Sequence, residues 1–284
     1  RVAEEAERLG YAALWVQERV LRPTNPRTPY GGVPGLAWPE PYALVYDPIE
    51  TLSYVAAKTV RIRLGTSVID ALYHPPVVMA RRLATLDRLS AGRVIAGLGQ
   101  GWSEDEFEAV GVPPTRRGRG FQEWIAAVRA AWGPDPVRFA DGAYRIPESQ
   151  IGPKPVQTGG PPIIVGAFAP AAIARAARIA DGFNPIALSW EMLEQAIRGF
   201  RAAAQAAGRD PERLQVVVRA NNQVSEQPLP DPRPPFSGTV EQINEDLARA
   251  RGLHVNHVFF DLNFTETSID AQLRLLERLR TVAR

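Results

Sequence analysis

Short apolar runs recur along the chain, and a stretch of helical periodicity comes after each one. Runs at 12–16 (AALWV), 61–68 (RIRLGTSV), 93–98 (RVIAGL), 163–165, 182–186, 214–219 (LQVVVR) and 255–262 have the length of buried strands. Helices are expected at 1–9, 47–59, 76–89, from 103 onward, and at 120–132, 170–180, 190–207, 239–252 and 269–282. In the first of these, Val2, Ala6 and Leu9 share one face, with Glu4, Glu5, Glu7 and Arg8 on the other. Asp47-Pro48 supplies a capping acid and then a proline at the first helical position. Ser103 to Glu106 and Thr239 to Gln242 both read as capping boxes.

Strands that alternate with helices pair in parallel, because parallel neighbours need a crossover. Seven such units and an opening helix predict an α/β fold, a (β/α)8 TIM barrel whose first strand lies upstream of residue 1; an open doubly wound sheet is the rival arrangement. The chain opens on Arg1 rather than Met, with no cap before its first helix, so a trimmed or cut chain is expected. One domain over 1–284 is expected, with two interruptions. Residues 17–46 form a long loop rich in Pro, Gly and Tyr, and 133–160 reads as an insertion with short strands near 137–146.

Composition narrows the function. Of the 284 residues, 45% are hydrophobic and 23% charged, which is ordinary for a globular protein. No apolar run is long enough to span a membrane, and no signal segment opens the chain. The absence of cysteine excludes disulfides, thiolate metal sites and cysteine nucleophiles. A cytoplasmic protein is the simplest reading. The net charge is only +2 and no basic stripe interleaves with aromatics, which argues against nucleic acid as a partner. Lys58 and Lys154 are the only lysines; the arginine bias reads either as genome composition or as suited to an anionic ligand.

In a parallel barrel, chemistry gathers where strands end. After the first run come Gln17, Glu18 and Arg19; after the second, Ser67, Val68, Asp70 and His74; after the third, Gly99, Gln100, Gly101 and Trp102. After the fourth come Gly166, Ala167, Phe168 and Ala169, entering a helix whose free amides suit a phosphate, and after the fifth, Asn184. The glycine-rich run 97–101 is neither a dinucleotide fingerprint nor a P-loop; it is either a tight turn or backbone brought close to a flat ligand. His254 and His257 sit three apart, which on a strand points them to opposite faces, so no metal pair is expected. His74, in a strand-end loop, is the better ligand contact. No serine-hydrolase elbow is present.

Several of these segments fall into one pattern: AERLGYAALWVQER (6–19), RIRLGTSV (61–68), ARRLATLDRLSAGRVIAGLGQGWSEDEFEAVGV (80–112), IGPKPVQ (151–157) and PPIIVGAFAPAAIARAARIADGFNP (161–185). Together they resemble the bacterial luciferase-like monooxygenase superfamily, and within it the branch of oxidoreductases that use the deazaflavin coenzyme F420. The resemblance covers the chain to about residue 208. It implies a (β/α)8 barrel with an insertion, a homodimer, and a flavin or deazaflavin at the C-terminal mouth. It implies a non-proline cis peptide at Ser67–Val68, with Val68 behind the ring and Ser67 setting the bulge. Gly166, Ala167, Phe168 and Ala169 would cradle the cofactor phosphate, with Asp70, Gly99, Gln100, Gly101, Trp102 and Asn184 along the cofactor. Some deazaflavin-dependent dehydrogenases carry Asp-His where this chain has Glu18-Arg19. Arginine cannot be a general base, so Glu18 would act as base or bond the ring, and Arg19 would stabilise negative charge. His74 and Tyr42 are the expected substrate contacts. The loop aromatics Tyr30, Trp38, Tyr42 and Tyr46 either close over substrate, form a dimer contact or belong to a disordered lid. The expected activity is hydride transfer between a deazaflavin and a small organic substrate. The alternatives are an FMN-dependent monooxygenase and a non-catalytic protein that binds the cofactor.

Overall fold

Each strand expected from the apolar runs forms in the computed structural model, which describes residues 1–221, 223–262 and 268–282. In chain order the elements are α1 (Val2–Arg8), β1 (Ala13–Val16), α2 (Pro48–Lys58), β2 (Arg63–Thr66), β3 (Ile69–Asp70), α3 (Pro76–Leu89), β4 (Val94–Gly99), α4 (Glu104–Ala109) and α5 (Arg119–Trp132). Next come β5 (Val137–Asp141), β6 (Tyr144–Ser149), β7 (Ile163–Gly166), α6 (Pro170–Ile179), β8 (Gly182–Asn184), α7 (Trp190–Ala206), β9 (Gln215–Ala220), α8 (Val240–Gly252), β10 (His257–Phe260) and α9 (Ile269–Val282). Among the described residues no helix is long and apolar enough to cross a membrane.

The chain divides into two compact units, the first comprising 1–15, 61–63 and 164–284, the second 16–60 and 64–163. In the first unit β7, β8, β9 and β10 pair in parallel in that order; Gly166 lies opposite Asn184, and His257 opposite Val217. Phe183 and Phe200 stack at 5.0 Å and are fully buried between sheet and helix. Such side chains each contribute roughly 1.5–3 kcal/mol of burial. The capping box at Thr239 forms as expected, the Thr239 side chain accepting from the Gln242 amide while the Gln242 side chain reaches back.

In the second unit the run 61–68 does not form one strand. It ends as β2 at Thr66, passes through a cis Ser67–Val68 peptide, and resumes as β3. Both pieces pair with β4 in parallel, Leu64 opposite Val94 and Asp70 opposite Gly99. The glycines of β4 make this possible. A Cβ on Gly97 would lie 1.6 Å from the Thr66 carbonyl oxygen, and one on Gly99 would lie 2.6 Å from Val68 Cγ2. Both glycines therefore serve the close packing of the broken strand. The 133–160 stretch contains the antiparallel pair β5–β6, close to where short strands were expected.

The segment LDRLSAGR is a scaffold. Asp87 is fully buried and accepts from the Val156 amide at 2.8 Å, the Gln157 amide at 3.0 Å and Gln157 Nε2 at 2.8 Å. Arg93 donates to the Ser90, Ala56 and Thr59 carbonyls and to Thr59 Oγ1. Buried polar groups of this kind persist only when their bonds are made.

Candidate active site

At the end of β1 two adjacent residues turn to different partners. The Glu18 amide donates to the Val68 carbonyl at 3.2 Å, tying β1 to the residue after the cis bond. Glu18 Oε2 accepts from the Asp70 amide at 2.8 Å, and Oε1 lies 2.7 Å from His74 Nε2. His74 is itself fixed from behind, its carbonyl accepting from Trp124 Nε1 at 2.7 Å. Glu18 is buried, while the His74 side chain keeps 20% of its surface exposed. Glu18 and His74 thus make a carboxylate–imidazole pair with its imidazole toward solvent, an arrangement able to accept and pass on a proton.

Arg19 goes the other way. Nη2 donates to Asp70 Oδ2, Nη1 to Glu106 Oε2 at 2.7 Å, and Nε to the Glu18 carbonyl at 2.6 Å. Its side chain is 8% exposed, against 3% for Asp70 and 0% for Glu106. The guanidinium lies 5.4 Å from the Trp102 ring centroid. Burial opposes the Arg19 charge, yet Asp70 and Glu106 more than offset it and hold the group protonated. The acids feel the reverse balance. Burial pushes the Asp70 carboxyl up to about 7, with Glu18 and Glu106 adding repulsion, while Arg19 and a bond from the Gly101 amide pull it down. Burial likewise raises Glu106, against Arg19 and the amides of Val20 and Leu21. Tyr73, whose hydroxyl donates to Glu106 at 3.4 Å, is raised first by burial and then by Asp70 and Glu106. Burial thus raises Asp70 and Glu106 together, while Arg19 stays protonated between them.

Glu106 is the residue that the sequence hid. Ser103 caps α4 by accepting from the Glu106 amide at 3.3 Å, as a capping box requires. The Glu106 carboxylate does not complete the box; it accepts from Arg19, from the Val20 amide at 2.9 Å and from Tyr73. A carboxylate at the third helical position that is wholly buried is the signal, and only the structure shows the burial.

The other expected residues of this unit have more structural surroundings. Gln100 Oε1 accepts from the Gly118 amide at 2.9 Å, which anchors the turn before α5. Gly101 has φ +75°, and a Cβ there would meet the Tyr73 hydroxyl at 2.8 Å. Trp102 joins an aromatic cluster with Trp38 at 4.8 Å and Tyr30 at 5.8 Å. Tyr42 is buried in the same cluster, its hydroxyl 2.9 Å from that of Tyr30 and donating to Gln17 Oε1 at 3.4 Å. Three of the four loop aromatics are thus packed together, while Tyr46 is exposed.

Gly166, Ala167, Phe168, Ala169 and Asn184 belong to the first unit. Gly166 ends β7, and Ala169 precedes α6 without a side-chain cap. In the first turn of this ten-residue helix Pro170 carries no N–H and the Ala172 amide donates to the Ala169 carbonyl at 2.9 Å, so the turn offers a phosphate fewer donors than a helix start usually does. Phe168 is 65% exposed. Asn184 is buried and donates to the Val217 carbonyl at 2.6 Å. At the ends of β9 and β10, Arg219 and Asp261 form a buried ion pair that sequence reasoning missed; Arg219 Nε also donates to Asn221 Oδ1 at 3.1 Å. Of the two histidines three apart, only His257 is on β10, where it accepts from Trp15 Nε1 at 3.1 Å. Burial and Arg63 lower it to about 4. His254 lies in the preceding turn with φ +55°. Among the described residues no cluster of His, Asp or Glu has the geometry of a metal site.

Comparisons with known proteins converge. The sequence profile of the luciferase-like monooxygenase family matches residues 1–228. A Mycobacterium tuberculosis protein, Rv0953c, is 30% identical over 280 residues, 98% of this chain and 90% of its own. The F420-dependent glucose-6-phosphate dehydrogenase of Kineococcus radiotolerans is 32% identical over 265 residues, 88% of this chain and 73% of that protein. The FMNH2-dependent dimethylsulfone monooxygenase of Pseudomonas putida is 30% identical over 162 residues, 56% of this chain and 44% of that one. Among solved structures, the monooxygenase RslO1 of Streptomyces bottropensis superposes with a TM-score of 0.80 at 22% identity, covering 99% of this chain and 90% of its own. An F420-dependent secondary alcohol dehydrogenase also gives 0.80, at 16% identity, covering 100% and 93%. These likenesses establish the fold as the parallel α/β barrel. Two of the sequence relatives are named for their cofactor, F420 in one and FMNH2 in the other.

Proposed function

The chain belongs to the luciferase-like monooxygenase family, and within it we propose an oxidoreductase that transfers a hydride between a deazaflavin of the F420 type and a small organic substrate. The observation that carries this reading is the Glu18–His74 pair, a buried carboxylate bonded at 2.7 Å to a half-open imidazole at the end of a barrel strand. Hydride transfer to or from a carbon bearing oxygen needs a proton to leave or arrive at that oxygen, and this pair is built to handle one. The F420-dependent relative aligns along 88% of the chain, the FMN-dependent one along 56%, which favours the deazaflavin.

When bound, the deazaflavin supplies the hydride acceptor or donor, and the protein contributes position, proton handling and exclusion of water. The Val68 side chain packs over Gly99, which gives the bulge after β2 a fixed apolar face for a ring. His74 exchanges the proton with substrate, and Glu18 orients the imidazole and stabilises its charged form. Arg19 touches neither partner in this scheme; it fixes Asp70 and Glu106. The sugar phosphate named for the dehydrogenase relative is not carried over, because Arg19 stands where some dehydrogenases of this branch carry a histidine.

A second reading, an FMN-dependent monooxygenase, is favoured by the dimethylsulfone enzyme and by the fit to RslO1. Binding titrations with F420 and with FMN, monitored by cofactor fluorescence, decide between them. Tight binding of F420 and weak binding of FMN is expected. The reverse, with oxygen consumed during turnover, would refute the deazaflavin reading. A homodimer without nucleic-acid or membrane partners belongs to the same proposal, and sedimentation of the purified chain tests its assembly.

A further inference from the structure

The charged residues after β1 are answered from within the chain. Arg19 is held by Asp70, Glu106 and the Glu18 carbonyl. Arg22 turns to the carbonyls of Pro39 and Trp38, at 3.1 and 3.3 Å. Arg27 pairs with Asp105 and Glu108. Glu18, Asp70 and Glu106, the acids bonded to His74 or to Arg19, are all buried. An arginine that recognises a substrate phosphate or carboxylate presents its planar fork outward. Here both terminal nitrogens of Arg19 face carboxylates contributed by two different elements, β3 and α4. An incoming anion would have to displace one of them and leave it buried without its counter-ion, which strongly disfavours the exchange.

We propose that Arg19 is an internal counter-ion, that Glu106 is the positioning residue which keeps it so, and that the site accordingly takes an uncharged substrate, an alcohol, ketone or comparable neutral molecule, in preference to a phosphate or carboxylate. The inference rests on reading the Glu18–His74 region as the substrate side of the oxidoreductase. It reverses the simplest expectation from the sequence, in which Arg19 stabilises an anion.

The test uses sulfate as the probe. Thermal stability of the full chain, saturated with whichever cofactor it binds, is measured at pH 8, above the Asp70 transition, across a sulfate titration for the wild type, Arg19→Gln and Asp70→Asn. The wild type and Arg19→Gln are expected to share the same sulfate dependence, since Arg19 offers nothing to the anion. Asp70→Asn removes one counter-charge with little change of shape and is expected to bind sulfate roughly tenfold more tightly or better. A saturable sulfate effect in the wild type that disappears in Arg19→Gln would overturn the proposal. So would an Asp70→Asn protein with unchanged sulfate affinity, which keeps the test decisive if Arg19→Gln does not fold. Glu106→Gln supplies the positioning readout: its sulfate affinity should rise as that of Asp70→Asn does, whereas a merely structural glutamate would lower stability without changing it. The cofactor titration reports on the enzyme reading and the sulfate titration on Arg19. The sulfate series is also run without cofactor, so the two fail independently.

Discussion

Asp70→Asn also tests the electrostatics of the cluster through stability alone. The Asp70 carboxyl is pushed up to about 7 from a reference of 3.8, with burial as the first cause. The folded state therefore holds a proton that the unfolded chain has released at any pH between those values. Stability contributed by that proton is fully present below pH 3.8 and is lost as pH rises toward 7. At about 1.4 kcal/mol per pH unit, the whole window corresponds to about 4 kcal/mol. Asparagine carries no titrating proton, so the variant lacks this loss. Other carboxyls, such as Glu123 and Asp47, are lowered and slope the opposite way, but they are common to both proteins and cancel in the difference. The assay is urea unfolding of both proteins at intervals from pH 4 to pH 8. The variant's stability minus that of the wild type should climb by about 4 kcal/mol over that range and level off above pH 7. A difference that stays flat, or one that falls with rising pH, would show that Asp70 remains ionised throughout and that Arg19 outweighs burial.

Packing and capping set three further outcomes. Gly97→Ala places a methyl 1.6 Å from the Thr66 carbonyl oxygen and should cost about 3 kcal/mol or abolish folding, while Gly199→Ala, in exposed helix with nothing within 4 Å, should gain up to about 1 kcal/mol; urea midpoints of the pair check both. Asp87→Ala strands the Val156 and Gln157 amides and should destabilise by about 3 kcal/mol, read by thermal unfolding, with the preference between F420 and FMN unchanged. Thr239→Ala removes half of a formed capping box and should cost about 1 kcal/mol, and amide exchange in the first turn of α8 should quicken with it.

The strands are legible in the sequence because each is a short apolar run bounded by turn residues, and the alternation with helices fixes the class. Sequence and structure part where a local feature depends on distant partners. The run 61–68 is continuous as hydrophobicity, yet it breaks at Ser67–Val68, and only the glycines of β4 show room for the break. The apolar run 255–262 predicts a longer last strand than the one that forms; at its start the Val255 amide still bonds to the end of α8, at the Ala250 carbonyl. The site divides in the same way. Glu18, Asp70 and His74 stand at or just beyond strand ends, where a parallel barrel gathers its chemistry, so position along the chain singles them out. Glu106 has no such signal, because the capping pattern accounts for it fully and its partner Arg19 lies 87 positions away. Arg219 and Asp261 are 42 positions apart, and neither stands in a motif that would suggest the other.

Asp70 links the two halves of this arrangement. Its amide is bonded to Glu18, which faces His74, and its carboxyl is bonded to Arg19, which faces Glu106. A change of charge on Asp70 is therefore felt on both sides. When Asp70 is protonated, Arg19 and Glu106 form a balanced pair and Glu18 is the one further acid beside His74. When Asp70 ionises, Arg19 faces two charged carboxylates rather than one, and its own charge is turned further inward. A site of this kind can deliver a proton to an uncharged substrate without presenting a permanent positive charge to it. For that role, arginine at position 19 is useful only because both Asp70 and Glu106 are there to hold it.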